Sequence, residues 1–267
     1  MKKRSESIRN KLLPIGTFCL ILLIWWILSA TGLVPSYMLP SPLKVGAAFI
    51  NDFPNLMVHA LVSIQEAIYG LIIGVVLAFV IATLMDRYET IEKAILPLLV
   101  VTQTIPTIAI APLLVLWMGF GMAPKITLVV VTTFFPIAVG LLDGYKSVDR
   151  DEIDLLRSMR ASRLQIFLHV KIPAALPYFF SGLRVSASYA VVGAVISEWL
   201  GGFEGLGVYM TRVRKAYAFD KMFAVIILII IVSLLLMALV DLIKTISMPW
   251  TLVSKQQNNK SGQKAKE

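Results

Sequence analysis

The chain contains 267 residues, of which 58% are hydrophobic and 15% are charged, and its formal net charge is +9. Its mean hydropathy of +0.81 lies outside the range of ordinary soluble domains, which excludes a typical water-soluble protein. The only cysteine is Cys19, so an internal disulfide and a thiolate metal cluster are also excluded.

Six apolar windows account for the high hydropathy. A helix needs about 20 apolar residues to cross the ~30 Å hydrocarbon core, and most of the windows reach that length. The windows cover residues 12–30, 64–84, 95–117, 126–142, 177–197 and 223–243. The first window is long for a secretory signal and five more follow it, so we expect a retained anchor. The sequence therefore predicts an all-α integral membrane protein with six transmembrane helices in residues 12–247.

The basic residues predict the orientation, because Lys and Arg are retained on the cytoplasmic side during insertion. With the amino terminus inside, 18 of the 25 Lys and Arg residues fall in cytoplasmic segments, six fall outside, and Arg184 lies within the fifth span. Both termini are predicted to be cytoplasmic, with a basic segment at residues 1–11 and a disordered tail at residues 248–267. This bias accounts for the net charge, so a nucleic-acid partner has no support.

The segment between the fourth and fifth spans carries eleven charged side chains within residues 143–171. Acidic residues come first and basic residues follow, which is the order that a helix macrodipole favours. Apolar side chains recur about every four residues, at Leu155, Met159, Ile166 and Val170. The pattern predicts one amphipathic helix, or two joined at residues 161–162, which Pro173 and Pro177 end before the chain re-enters the membrane. A plain connector between two spans is the alternative.

The same segment resembles the cytoplasmic EAA loop of ABC-importer permeases. That motif consists of EAA, three residues, glycine, nine residues and then I-x-L-P, and "DEIDLLRSMRASRLQIFLHVKIPAALP" at residues 151–177 follows its spacing without a gap. Arg160 stands where the motif has glycine. The resemblance implies an ATPase-coupling loop within residues 149–173, formed by Asp154, Leu155, Leu156, Arg160, Val170, Ile172 and Pro173.

Other stretches resemble the permeases that import nitrate, sulfonates, taurine and thiamine-precursor pyrimidines. They are "MLPSP" at 38–42, "TIPTIAIAPLLVLWMGFG" at 104–121, "PAALPYFFSGLR" at 173–184, and "SEWLGG" followed by "GLG" within 197–207. The resemblance implies a homodimer in the bacterial plasma (inner) membrane, two ABC ATPase subunits on the cytoplasmic loops, and an external solute-binding protein. Of these substrates, a hydroxymethylpyrimidine-type thiamine precursor fits the stretches after residue 190 best.

The chain has no G-x-x-x-x-G-K-[ST] sequence, so it has no phosphate-binding loop of its own. We therefore expect a transport subunit that is not an enzyme and binds no cofactor or metal. In the family that it resembles, ATP and Mg²⁺ are bound by the partner ATPase subunits.

Polar residues in the third span are candidates for the wall of a translocation path. Prolines inside a membrane helix free carbonyl groups that neighbouring groups or a water-filled path must satisfy. Three such prolines accompany the polar residues Thr102, Gln103, Thr104 and Thr107. The alternative is a kinked packing helix whose threonines bond their own backbone. In the second span, Gly70 and Gly74 have the spacing that permits close helix approach.

Ionisable residues at membrane depth are costly and suggest function. Arg184 and Glu198 are added as path candidates. The alternatives are snorkelling or pairing at the inner gate for Arg184, and a structural role or contact with the headgroups for Glu66 and Glu198. His59 and His169 are interpreted as surface residues. The rival hypothesis is a secondary transporter or channel in which Glu66, Arg184 and Glu198 form an ion relay.

Overall fold

The computed structural model describes residues 2–249, and all regular structure in that range is helical. The tail predicted for residues 248–267 lies almost wholly outside the described residues. In chain order the helices are α1 (Lys2–Ala30), α2 (Pro42–Asn51), α3 (Phe53–Arg87), α4 (Glu89–Thr104), α5 (Thr107–Met118), α6 (Met122–Lys146), α7 (Arg150–Ser158), α8 (Arg163–Ile166), α9 (Ile172–Gly201), α10 (Leu206–Lys215) and α11 (Phe219–Ser247). A π-helical turn, Phe167–Lys171, joins α8 to α9.

Within residues 2–249, five helical segments are long and apolar enough to cross a membrane: α1, α3, α6, the α8–α9 segment and α11. The third predicted span is not one straight helix, because α4 and α5 meet at 102°. The bend lies at Ile105 and Pro106, where both residues have extended backbone angles. A proline disfavours the helical conformation of the residue before it, which ends α4 at that point. Counting the bent pair as one span gives six, so the all-α membrane fold is confirmed and the third span is corrected.

Helix α6 lies at the centre of the bundle, with α3 on one side and α9 on the other. Small residues permit the close contacts: a Cβ on Gly144 would lie 2.5 Å from the Cα of Ala175 in α9. On the other side, Gly70 and Gly74 contact α6. Their predicted role in close helix packing is confirmed.

Helices α1 and α11 lie at the edge of the bundle. From Leu13 onward α1 exposes most of its apolar side chains, and α11 exposes a row of them between Ile230 and Ile246. The indole ring of Trp25 in α1 stacks on Phe223 of α11 at 5.6 Å between ring centroids, and its Nε1 donates to the carbonyl of Pro40. Apolar side chains exposed on the surface of a span suit contact with lipid, where no hydrophobic force opposes their exposure.

The bundle has two ends, which we name the α7 end and the α10 end after the short helices there. At the α10 end, α2 begins with Ser41, whose side chain accepts from the Lys44 amide, and Pro42 occupies the first turn. Helix α10 follows the glycine-rich residues 201–205 and packs against α3, α9 and α11.

Candidate functional site

The predicted amphipathic helix of the charged segment is α7, at the α7 end of the bundle. Asp149 caps it by accepting from the Asp151 amide, as the early acidic residues predict. Asp154 lies on its exposed face and accepts from Arg157 at 3.0 Å. Leu155 is 63% exposed, whereas Leu156 is half-buried. Helix α7 thus has no fully buried side chain, and Leu155 leaves an apolar surface that this chain does not cover.

Arg160 ends this helix in a left-handed conformation, with a φ of 62°. Its amide donates to the carbonyl of Arg157, and the amide of Ala161 donates to the carbonyl of Leu156. These two bonds form a Schellman motif, in which the left-handed position strongly prefers glycine. The glycine of the resembled motif therefore corresponds to the residue that reverses the chain between α7 and α8.

The predicted helix end at Pro173 and Pro177 is wrong, because the chain is helical from Arg163 to Leu200. Pro173 lies in the first turn of α9, and the preceding turn is π-helical, with the Ile172 amide bonded to the carbonyl of Phe167. The wider turn accommodates the proline without a break. Val170, Ile172 and Pro173 therefore belong to a helix that continues directly into a span.

An ion pair ties this helix to α3. The Nζ atom of Lys171 donates to both carboxylate oxygens of Asp86, at 2.7 and 2.8 Å, and both side chains are largely buried. Lys146 at the end of α6 pairs with Glu92 of α4 in the same region. No local sequence pattern indicates these pairs, because their partners lie 85 and 54 residues apart along the chain. At the α7 end they join the start of α9 to α3 and the end of α6 to α4.

Three of the four polar residues proposed in the third span line one cavity of about 140 Å³ beside the α4–α5 bend. Thr102, Gln103 and Thr107 share it with Thr132 of α6 and Tyr189 of α9. Thr104 does not line this cavity. Thr102 and Thr104 also bond carbonyls of their own helix, at 2.7 and 2.8 Å, as the packing alternative expects. The structure therefore brings polar groups from three spans to one opening.

Arg184 lies far from the acidic candidates. Its guanidinium contacts the carboxylate of Asp241 in α11 at 3.4 Å, and both side chains are about half exposed. Asp241, near the end of the last apolar window, was missed. Fourteen residues separate Arg184 from Glu198 along α9, which is about 21 Å at 1.5 Å per residue. An ion relay through Arg184, Glu66 and Glu198 has no continuous geometry in this chain.

Glu66 and Glu198 do not reach outward from the bundle. They are 0% and 1% exposed and lie at the α10 end, where α3, α6 and α9 meet. Glu66 accepts from Lys125 at 2.7 Å, and Glu198 accepts from Ser63 and from the Gly207 amide, both at 2.5 Å. Of the two alternatives, contact with headgroups is wrong for both residues, and their burial agrees with the structural one; Glu198 does not line the polar cavity.

His59 is also buried, contrary to its interpretation as a surface residue, whereas His169 is exposed. The Nδ1 atom of His59 accepts from the Gly205 amide at 3.1 Å, and the His59 ring stacks on Tyr209 of α10. The Tyr209 hydroxyl donates to Asp52, and burial together with that carboxylate raises the pKa of Tyr209 above its ordinary value. Polar contacts therefore fix the start of α10 to α3 and to Asp52, which precedes α3.

Within the described residues, no group of three or more His, Cys, Asp or Glu side chains could hold a metal ion. The polar groups at the α4–α5 bend are neutral hydroxyl, amide and phenol groups. They can exchange hydrogen bonds with a polar solute or with water. That chemistry suits passage of a solute rather than its conversion.

Residues 70–251 match the family described as the inner membrane component of binding-protein-dependent transport systems. A probable ABC transporter permease protein of Haemophilus influenzae is 37% identical over 85% of this chain and 93% of its own length. The formylaminopyrimidine transport permease protein ThiX of Halalkalibacterium halodurans is 36% identical over 87% of this chain and 94% of its own.

The fold agrees with these matches. A chain from the crystal structure of an amino acid ABC transporter superposes with a TM-score of 0.61 and 16% identity, covering 73% of this chain and 95% of its own length. At that identity the likeness concerns the fold alone. Because the family match spans most of the bundle and includes the α7 segment, the chain belongs to the inner membrane components of binding-protein-dependent transport systems and is an ABC-importer permease.

Proposed function

We propose that two copies of this chain form the translocation path of an ATP-driven importer in a bacterial inner membrane. ATPase subunits bind the α7 end on the cytoplasmic side, and a solute-binding protein docks at the α10 end outside. The observation that carries this proposal is the uncovered surface of α7 on a segment that is ion-paired to the spans. Leu155 and Met159 are 63% and 71% exposed there, beside the charged pair of Asp154 and Arg157.

The link between α7 and the spans supports a transmission role. A force on α7 reaches α9 through the short α8 and the π-helical turn, and it reaches α3 through Lys171 and Asp86. Because helices and a largely buried ion pair deform little, displacement of α7 would move the spans with it. Closure of the ATPase subunits would thus switch the path between outward and inward access, as a two-state element biased by a ligand.

The orientation is tested by labelling cysteines from each side of the membrane. Cys19→Ser provides a background without thiols, and single cysteines are then placed at Ser158 and at Tyr217, which are both exposed. We expect an impermeant maleimide to label position 217 in intact cells and position 158 only in inside-out vesicles. Labelling of position 158 from outside would overturn the proposed ATPase side.

The residues that line the cavity at the α4–α5 bend form the proposed wall of the translocation path. Thr107 and Gln103 lie on the two sides of the bend, and Tyr189 faces them from α9. Because the cavity lies at a surface of this chain, a second copy would complete it. Gln103→Ala should lower uptake of the solute while leaving complex assembly intact, because a polar contact is lost without disturbing a buried core. Leu98→Ala in the same helix, where the side chain is 64% exposed, is the control and should transport normally.

The substrate that we propose is a hydroxymethylpyrimidine-type thiamine precursor. Support comes from the relative described as a formylaminopyrimidine permease, which is 36% identical, together with the resemblance of the stretches after residue 190. Thermal-shift screening of the partner binding protein against pyrimidines, aliphatic sulfonates, taurine and nitrate tests this proposal. Stabilisation by a sulfonate, taurine or nitrate instead of a pyrimidine would reject the substrate but retain the permease.

The rival function, a secondary transporter or channel, differs in its energy source. We expect uptake to stop when ATP is depleted and to continue when a protonophore collapses the proton gradient at constant ATP. The opposite pattern would favour the rival. The separation of Arg184 from the buried acidic pair argues against that result.

A further inference from the structure

A cluster of buried polar side chains lies at the α10 end, where α3, α6 and α9 meet the start of α10. Its acidic members are Glu66 and Glu198, and its basic member is Lys125, which is 5% exposed. Lys125 donates to Oε1 of Glu66 at 2.7 Å and to the carbonyl of Glu204 at 3.4 Å. Ser63, which donates to Glu198, and Glu66 are three residues apart in α3, so the two carboxyl groups are neighbours in this cluster.

The hydrogen bonds of this cluster leave one acceptor without a donor, and one additional proton would complete them. Both oxygens of Glu198 accept, one from Ser63 and one from the Gly207 amide. Oε2 of Glu66 is buried and has no hydrogen-bond partner. If both carboxyl groups were ionised, Oε2 of Glu66 would remain a buried acceptor without a donor, and two neighbouring buried like charges disfavour double ionisation.

The charges of the cluster independently indicate that one proton is missing. Two carboxylates and one ammonium leave one uncompensated negative charge in a site closed to water, and an unpaired buried charge is strongly unfavourable. His59 cannot supply the balance while its Nδ1 accepts from the Gly205 amide, because that nitrogen is then unprotonated. Other ionisable groups near His59 are Asp52, Glu204 and Arg212, of which Asp52 is engaged by Tyr209.

We propose that this cluster is a binding site for one proton, shared between the carboxyl groups of Glu66 and Glu198. The proton forms an O–H bond to one carboxyl group and a hydrogen bond to the other, which satisfies Oε2 of Glu66. The cluster then holds one carboxylic acid, one carboxylate and one ammonium, and it is neutral. The proton is a fixed structural ligand and is not transported, so this inference stands apart from the proposed function.

The bound proton stabilises the attachment of α10 to the bundle. Three successive amides at the start of α10 donate to side chains of other helices: Gly205 to His59, Leu206 to Ser63 and Gly207 to Glu198. Ser63 also donates to Glu198, so two of these three contacts depend on the position of that carboxyl group. Gly205 has a φ of 124°, and a Cβ there would overlap the Glu198 carboxyl group, which is why this turn contains glycine.

Infrared spectroscopy of the full-length chain in lipid bilayers tests the proposal, because a protonated carboxyl group has a C=O stretching band that a carboxylate lacks. Selective ¹³C labelling of glutamate assigns the band, and exchange into D₂O identifies it as a carboxylic acid. At pH 7 we expect one protonated glutamate per chain. Glu66→Gln and Glu198→Gln should each remove the band, because the remaining carboxylate is then balanced by Lys125.

Lys125→Met provides the opposite change, because it removes the balancing charge and should raise the count from one protonated glutamate to two. Glu204→Gln is the matched control, since its side chain is exposed, and it should leave the band unchanged. If a variant fails to fold, the labelled parent chain still decides the presence of the proton. Absence of the band in the folded parent, its persistence in both glutamine variants, or sodium-dependent stabilisation without a band would overturn the proposal.

Discussion

Arg160→Gly tests how the chain reverses between α7 and α8. Arg160 has a φ of 62° and occupies the left-handed position of a Schellman motif. A side chain in that conformation costs about 1–2 kcal/mol. Glycine removes this cost but loses about 0.5–1 kcal/mol more conformational entropy on folding. The net expectation is a gain of about 0.5–1 kcal/mol, which lowers the opening constant of the turn about two- to fivefold.

Hydrogen exchange measured by mass spectrometry on the permease in lipid bilayers is the assay. In Arg160→Gly, amides of residues 156–162 should exchange about two- to fivefold more slowly, and solute uptake should be retained because the Arg160 side chain is exposed. Arg160→Val should accelerate exchange there, since a β-branched side chain tolerates positive φ poorly. Tyr217→Gly is the matched control, because Tyr217 ends α10 in the same motif with a φ of 57°.

The control should slow exchange at the end of α10 and leave α7 unchanged. Faster exchange of residues 156–162 in Arg160→Gly, with the α10 control behaving as expected, would refute the reasoning. It would mean that contacts of the arginine side chain, rather than backbone conformation, stabilise this turn.

Asp154→Lys should leave permease levels in the membrane normal, since an exposed ion pair contributes at most about 1 kcal/mol to folding. The same variant should weaken ATPase binding, measured by co-purification, and abolish solute uptake. Normal ATPase binding and uptake would reject the coupling role of α7. Lys171→Ala should lower the unfolding free energy by roughly 2–3 kcal/mol, because it leaves Asp86 unpaired. The double variant Lys171→Ala with Asp86→Ala should recover part of that loss, as measured by thermal unfolding in a double-mutant cycle. Gly144→Ala should destabilise the permease by about 1–3 kcal/mol, because the added Cβ would overlap the α9 backbone. Gly46→Ala is the control: its Cβ meets open space, and the variant should stabilise the permease by up to ~1 kcal/mol in thermal unfolding.

The sequence alone determined the membrane-protein class, the approximate spans and the family, because these depend on local properties. Hydropathy over about 20 residues locates a span wherever its neighbours lie. The acidic start of the charged segment similarly predicted where α7 begins, since capping by Asp149 involves adjacent residues. The bend at Ile105 and Pro106 also has a local cause, although proline alone did not distinguish a kink from a complete break.

Only the tertiary structure decided which ionisable residues meet. Glu66 and Lys125 are 59 residues apart in sequence, and Lys171 and Asp86 are 85 apart, so no periodic pattern connects them. A helical position specifies the face on which a side chain lies, but not which residue of another helix lies opposite. That pairing depends on how α3, α6 and α9 approach each other at their glycine contacts. For this reason Glu198, predicted from sequence as a path residue, lies within a buried cluster that holds α10 in place.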